Sequence, residues 1–126
     1  MVSRAEGRTL STSIRIDAPP DVVWNLITTL ANIPDWYDNW DTVEPATEDK
    51  RLQVGASFRL IRRHIGGVDT ALCRVTSLDE PTQLCWVELA PDRPTMSVEF
   101  RLGLPEAGPQ MGTLLHHTKT QVNSVD

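Results

Sequence analysis

The stretch "APPDVVWNLITTLANIPDWYDNW", residues 18–40, combines the signals of an amphipathic helix with a dense cluster of aromatic residues. Pro20 suits the first turn of a helix, and Asp21 places a negative charge near the positive end of the helix dipole. The apolar residues recur at helical spacing and predict a single apolar face: Val22, Val23, Leu26, Ile27 and Leu30. Pro34 interrupts this helix, and a short second helix or tight turn is predicted after it.

Three large aromatic residues, Trp36, Tyr37 and Trp40, lie within five positions. Flat rings of this kind stack well on a planar or aromatic ligand. The alternative is ordinary packing between the short helix and a sheet. Packing is the favoured interpretation for Trp36, and ligand contact is the favoured one for Tyr37 and Trp40.

Length and composition predict one globular domain over residues 1–126. Hydrophobic residues make up 40% of the chain and charged residues 23%, with a net charge of -5. The chain contains no basic block, which argues against a nucleic-acid partner. No apolar run is long enough to cross a membrane, and the N-terminus has no signal core, so we expect a cytoplasmic protein without a membrane partner.

The reactive side chains match no common catalytic or metal-binding motif. Cys73 and Cys85 lack C-x-x-C spacing and are expected to be reduced thiols. His116 and His117 are adjacent and would point to opposite faces of a strand, so no metal site is expected. No nucleophile, nucleotide-binding or zinc-protease motif is present, and we expect no cofactor.

Strands are predicted before the helical stretch at 9–17 and after it at 41–48, 56–65, 68–78, 83–90, 95–104 and 112–122. The clearest alternation is "MSVEFRLGL", residues 96–104. One face of it carries Met96, Val98, Phe100, Leu102 and Leu104, and the other carries Ser97, Glu99 and Arg101. Two short helices cannot cover seven strands. The pattern therefore predicts an α+β domain with a strongly curved antiparallel sheet, whose interior is filled by side chains or a ligand.

The segments "IRIDAPPDVVWNLITTLANIPDWYDNW", "VGASFRL", "RVTSLDEPTQLCWV" and "GTLLHH" resemble the START/Bet v 1-like (SRPBCC) superfamily. The similarity covers about residues 9–120 and is greatest to bacterial polyketide cyclase/dehydrase-like proteins. It implies a helix-grip fold, in which a curved seven-stranded antiparallel sheet grips a long C-terminal helix over a deep apolar cavity. The superfamily includes cyclases, lipid carriers, hormone receptors and resistance proteins, so the resemblance specifies fold better than reaction.

The sequence departs from this pattern at its end, "TKTQVNSVD", which follows directly on the seventh predicted strand. The long C-terminal helix is therefore expected to be absent. Without it, Met96, Val98 and Phe100 would lie on an open apolar face that is large for a monomer. We predict that a second copy (forming a homodimer), an exchanged element or a partner protein covers this face.

The resemblance implies a catalytic role for Arg74 in "CRV", residues 73–75, which matches the segment of a cavity arginine in polyketide aromatase/cyclases. That arginine is proposed to orient the polyketide and stabilise enolate oxygens. The alternative is a surface arginine on the convex face. If the hairpin places Leu78 opposite Leu84, then Arg74 lies opposite Glu88. Both would share a face with Leu72, Leu84 and Trp86, and Glu88 would supply a carboxylate near the substrate.

His117 shares its strand face with Leu115 and is a candidate general base, although an ordinary histidine near the sheet edge is the favoured interpretation. Some cyclases carry a tyrosine where this sequence has Trp40, and Tyr37 is a candidate for that phenol donor. The predicted apolar lining of the ligand site is Trp36, Trp40, Phe58, Leu60, Leu72, Trp86, Met96, Val98, Phe100 and Leu115.

Two functions fit these features. The first is a cofactor-independent cyclase, aromatase or dehydratase that acts on a hydrophobic or aromatic polyketide-like molecule in the biosynthesis of a natural product. Arg74 would hold the oxyanion, and Tyr37, His117 or Glu88 would move protons. The second is a carrier or sequestering resistance protein, which needs only an apolar pocket and stacking rings. A third option is a remnant that works only inside a complex.

Overall fold

The computed structural model describes residues 9–45, 50–91, 93–103 and 112–122. The helices are α1 (Pro20–Thr28) and α2 (Ile33–Trp36), with a 3₁₀ turn at Leu30–Asn32 between them. The strands are β1 (Thr9–Ile16), β2 (Thr42–Glu44), β3 (Ser57–His64), β4 (Gly67–Asp79), β5 (Gln83–Leu89), β6 (Met96–Gly103) and β7 (Thr113–Gln121). They form one curved antiparallel sheet in the order β1-β7-β6-β5-β4-β3-β2. All seven strands were predicted, although β2 is shorter than its predicted range.

Helix α1 packs on the sheet through a different stripe from the one that the sequence predicted. Its buried residues are Val23, Trp24, Ile27 and Thr28. Val22 and Leu26, which were assigned to the buried face, are 51% and 38% exposed. The buried stripe is rotated by one residue, about 100° around the helix. It contains Trp24 and Thr28 in place of Val22 and Leu26. None of the helices in the described parts of the chain is both long and apolar enough to cross a membrane.

The inner face of the sheet, which packs against the helices, is filled by side chains of the chain itself. The alternation predicted for β6 is confirmed over residues 96–103, and Leu104 lies outside the described residues. The predicted exposure of Met96, Val98 and Phe100 is wrong, since Val98 is 0% and Phe100 1% exposed and Met96 is half-buried. Rings from the segment after α1 cover Phe100, with Trp36 centred 5.0 Å from it.

The β4–β5 hairpin begins in the predicted register and then shifts. Leu78 lies opposite Leu84, as predicted, but the register changes between Val75 and Ser77. Such a bulge places an extra residue on one strand. Beyond it, Arg74 lies opposite Val87 and Cys73 lies opposite Glu88.

The prediction that Arg74 and Glu88 share a face is therefore wrong. Arg74 and Leu72 are exposed on the outer face of the sheet, while Cys73 and Glu88 are buried on the inner face. Leu72, predicted to line the ligand site, is likewise misplaced and is 48% exposed. Cys73 and Cys85 are free thiols, in agreement with the prediction from their spacing.

Candidate functional site

Tyr37 lies at the centre of an aromatic cluster on the inner face. Its ring meets Trp86 edge-on with centroids 5.3 Å apart and meets Phe100 edge-on at 5.6 Å. Trp36 packs edge-on against Phe100, and Phe58 packs edge-on against Trp86 at 5.2 Å. These are the arrangements that aromatic pairs favour. The rings after α1 thus face other rings of the sheet.

The carboxylate of Glu88 lies under this cluster and is 8% exposed. Tyr37 donates its hydroxyl proton to Glu88 Oε1 over 2.8 Å, and Trp86 donates its indole N–H to the same oxygen over 3.3 Å. Lys119 Nζ lies 3.6 Å from the other oxygen. A buried carboxylate is costly unless donors and a cation surround it, and Glu88 has both.

Lys119 on β7 connects the carboxylates of Glu88 and Asp38. Its ammonium donates to Asp38 Oδ2 and lies 5.1 Å from the centroid of the Tyr37 ring. The Lys119 side chain is 19% exposed. The ammonium is thus held at the edge of the aromatic cluster between two negative charges and one ring face.

Asp38 and Asn39 form the turn that directs the rings inward. Both have left-handed backbones, with φ of 49° and 59°. Asp and Asn tolerate this conformation better than other side chains with a Cβ atom. The turn lies between Tyr37 and Trp40, whose side chains are 2% and 7% exposed, so both rings are directed into the core.

His117 borders the aromatic cluster on β7. Its ring stacks on Phe100 with centroids 4.8 Å apart and planes 10° from parallel, and it meets the Tyr37 ring edge-on at 5.7 Å. Its Nε2 atom is buried and has no hydrogen-bond partner among the described residues. The imidazole is therefore held by stacking.

Burial shifts the acid–base properties of three side chains at the site. It lowers the pKa of His117, a shift that Asp38 and Glu88 oppose and Lys119 reinforces, so this imidazole is neutral near neutral pH. Burial, followed by the negative charge of Glu88, raises the pKa of Tyr37 and also that of the Cys73 thiol. Tyr37 consequently remains a hydrogen-bond donor, and Cys73 is a poor nucleophile.

Two cavities lie beside these residues, one at Glu88 and Lys119 and the other at Tyr37 and His117. The first, here called the Glu88 pocket, has a volume of 220 Å³ and is lined by Trp40, Glu88, Arg93, Met96 and Lys119 together with smaller residues. The second, here called the His117 pocket, has a volume of 390 Å³ and is lined by Thr12, Ile14, Trp36, Tyr37, Leu115 and His117 among others. No cluster of metal-ligating side chains is found in the described part of the chain.

The structure brings together three of the four predicted catalytic residues, Tyr37, Glu88 and His117, and leaves Arg74 on the other face. Of the predicted lining residues, all except Leu72 lie in the core or pack against it. Sequence reasoning missed Lys119. It follows His117 at the two-residue spacing that places strand residues on one face, so parity could have identified it.

Asp38 was also missed. Its contact with Lys119 joins two segments that are far apart in sequence, and one sequence carries no signal for such a contact.

The family described as "Polyketide cyclase / dehydrase and lipid transport" matches residues 8–118. No curated protein matches the sequence. Among solved structures, an aromatase/cyclase from a Streptomyces species is 24% identical, with a TM-score of 0.70, and the match covers 94% of this chain and 70% of that one. The protein CalU16 from Micromonospora echinospora is also 24% identical, with a TM-score of 0.64.

The CalU16 match covers 93% of this chain but only 62% of that protein. A third similar structure is an HSP90 activator from Plasmodium falciparum, 16% identical with a TM-score of 0.64, where the match covers 95% of this chain and 77% of the other. Likeness at these identities establishes the helix-grip fold, which an aromatase/cyclase and an HSP90 activator share.

Proposed function

The chain belongs to the polyketide cyclase/dehydrase and lipid transport family, and on that premise we propose that it is a cofactor-independent cyclase or dehydratase. Its substrate would be a hydrophobic, carbonyl-rich molecule of the polyketide type. The observation that carries this proposal is the presence of Glu88 and Lys119 in the wall of one cavity, beside the apolar side chains of Trp40 and Met96.

A carboxylate and an ammonium at one cavity wall suit aldol chemistry. Glu88 would take a proton from the carbon next to a carbonyl, and Lys119 would hydrogen-bond the enolate oxygen that develops. The enolate carbon then bonds to a second carbonyl carbon, whose oxygen takes up the proton. Loss of that hydroxyl together with a second α-proton releases water and leaves a carbon–carbon double bond.

Tyr37 and His117 have supporting roles in this proposal. The Tyr37 hydroxyl donates a hydrogen bond to Glu88 and so orients the carboxylate. Tyr37 is therefore a positioning residue. The neutral imidazole of His117 lies in the wall of the other cavity, where it can accept a proton from a bound enol or phenol. Arg74 has no role, because it lies on the outer face.

The size of the Glu88 pocket constrains the substrate. Its 220 Å³ lies below the range of about 300–1,000 Å³ usual for drug-sized ligands. Either a small molecule fits, or one end of a longer chain enters while the rest lies along the surface. In both cases only the segment that forms one ring contacts Glu88 and Lys119.

The proposal is tested by incubating the protein with a short linear poly-β-ketone ester and following the cyclised products by liquid chromatography. We expect Glu88→Gln to lower the catalysed rate about a hundredfold or more and Lys119→Met to lower it strongly as well. Arg74→Gln is the matched control and should keep the wild-type rate. A Glu88→Gln variant as fast as wild type would refute this assignment.

Non-catalytic binding is a second candidate, and one observation favours it. Glu88 is already engaged by Tyr37, Trp86 and Lys119, so its lone pairs are less available for proton transfer. A carrier would release unchanged the molecule that it binds. Native mass spectrometry of protein from its own host, with the bound molecule re-examined after incubation, distinguishes the two: an unaltered ligand supports the carrier.

A further inference from the structure

Strand β1 is an open edge of the sheet. It pairs with β7 through eight consecutive residue pairs without a bulge, and its other side has no neighbouring strand among the described residues. Edge strands expose unpaired N–H and C=O groups, which proteins usually protect with lysine, proline or a bulge. β1 has none of these, and Arg15 is its only charge. At the opposite edge, β2 has only three residues and is followed by Pro45.

The side chains of β1 make this edge apolar on the inner face. Leu10, Thr12 and Ile14 pair with Lys119, His117 and Leu115 of β7 and therefore share their face. Leu10 is 67% and Ile14 59% exposed, among the most exposed large apolar side chains of the described chain. On the outer face, serines of β1 hydrogen-bond to β7.

We propose that β1 pairs with β1 of a second copy of this chain, antiparallel and centred on Thr12. Residues directly opposite each other in an antiparallel pair share a face. The two-fold axis must therefore lie midway between the two copies of one residue, so that this residue pairs with itself. Centring on Thr12 places Leu10 opposite Ile14 of the second copy, and Ile14 opposite Leu10. It also places Thr12 opposite Thr12 and Ser11 opposite Ser13.

The register centred on Thr12 is favoured over its neighbour. Centring on Ser13 would place Ile14 opposite Thr12, and Leu10 opposite Ile16, which is already half-buried. Only the Thr12 register joins the two exposed apolar residues directly, twice in each dimer. Aromatic and β-branched or apolar pairs of this kind stabilise strand pairing.

This pairing has a consequence for the His117 pocket. Thr12 and Ile14 form part of its wall, on the side where the sheet ends. The second copy's strand would continue the sheet there, and its Leu10 would extend the apolar wall beside Ile14. Each pocket of the dimer would thus be bordered by a residue from the other copy.

The oligomeric state of the wild-type chain and three variants tests the interface by size-exclusion chromatography with light scattering. Leu10→Lys should weaken the dimer at least about tenfold, because it places a charge against Ile14. Ile65→Lys, at a fully exposed position in the β3–β4 turn, is the matched control and should remain dimeric. The double variant Leu10→Lys/Ile14→Glu should recover the dimer, because the register places the two opposite charges face to face.

Crosslinking tests the register itself. Thr12→Cys in a Cys85→Ser background should form a symmetric disulfide-linked dimer that reductant separates, whereas Ser13→Cys should not. Circular dichroism would confirm that the variants are folded, as expected for exposed positions. A monomeric wild-type chain would overturn the proposal. Crosslinking through Ser13→Cys in place of Thr12→Cys would overturn this register.

Discussion

The two faces of the sheet hold charged side chains in different environments, buried on the inner face and exposed on the outer face. On the inner face, Glu88 is buried and held by two hydrogen-bond donors and an ammonium. On the outer face, Arg74 is exposed and makes no side-chain hydrogen bond or ion pair within the described residues. A buried charge indicates a functional site, because other groups must be arranged around it to offset the free-energy cost of burial. An exposed charge requires no such arrangement.

Removing the largest buried ring of the inner face should have the largest effect on the free energy of unfolding. Trp86 is 0% exposed, packs against four rings and donates to Glu88. Trp86→Ala should lower the free energy of unfolding by about 3–5 kcal/mol because it leaves a cavity. Leu72→Ala on the outer face should lower it by only about 0.5 kcal/mol. Urea denaturation measures both, and similar losses would contradict the difference between the faces.

The next largest effect is expected at the ion pairs. Lys119→Met removes the cation between Glu88 and Asp38 and should cost about 1.5–3 kcal/mol in unfolding free energy. Arg101→Met breaks an outer-face pair with Glu99, in which the arginine is 61% exposed, and should cost about 0.2–1 kcal/mol.

A double-mutant cycle identifies the cause of the Lys119 effect. Glu88→Gln removes the negative charge while leaving an acceptor for Tyr37, so Glu88→Gln/Lys119→Met should cost less than the sum of the single variants. Strict additivity, measured by the same denaturation experiment, would show that Lys119 stabilises by packing its methylenes and not by its charge.

A smaller effect is expected from pH. The pKa of His117 lies below its ordinary value because of burial. Its contribution to stability is therefore complete above the unfolded-state value of about 6.5 and is lost as the pH falls below it. His117→Phe keeps the stacking on Phe100 and should flatten that loss in thermal unfolding measured from neutral to acidic pH. A loss that persists unchanged in His117→Phe would show that another group causes it.

The strands were predictable from the sequence because alternation and turn residues are local signals. β6 alternates as "MSVEFRLG", and each predicted strand after the helices overlaps an observed one, although β4 extends one residue beyond its predicted range at each end. The face of Arg74 was not predictable, because one bulge between Val75 and Ser77 reverses the parity of every residue before it. Assigning faces by alternation, counted back from the β4–β5 turn, is therefore correct as far as Ser77 and wrong at Arg74.

The candidate site was predictable only in part. Tyr37 was found from the aromatic cluster and the resemblance, and His117 from the strand face that it shares with Leu115. Glu88 was found through an incorrect pairing with Arg74. The buried state of the rings depends on packing between segments that are distant in sequence. Tyr37 lies directly after α2, whereas Trp86 lies on β5. Such contacts leave no periodic signal in one sequence.

The smallest effect is expected at Arg74, and it tests the inference drawn from family resemblance alone. The resemblance assigns an oxyanion-holding role to this residue, whereas the structure places it opposite Val87 on the exposed face. Arg74→Ala should change the unfolding free energy by no more than about 0.5 kcal/mol and leave ligand binding and turnover of a poly-β-ketone ester at wild-type levels.

The matched comparison for Arg74→Ala is Lys119→Met, assayed on the same ester. Both variants remove one positive charge, so any general effect of the changed net charge on the assay is the same in both and cancels between them. Of these two cations, only Lys119 lies in the wall of the Glu88 pocket and can contact a substrate there. Loss of turnover in Arg74→Ala, with Lys119→Met unaffected, would mean that the reaction takes place on the outer face. The buried carboxylate would then serve stability and not catalysis.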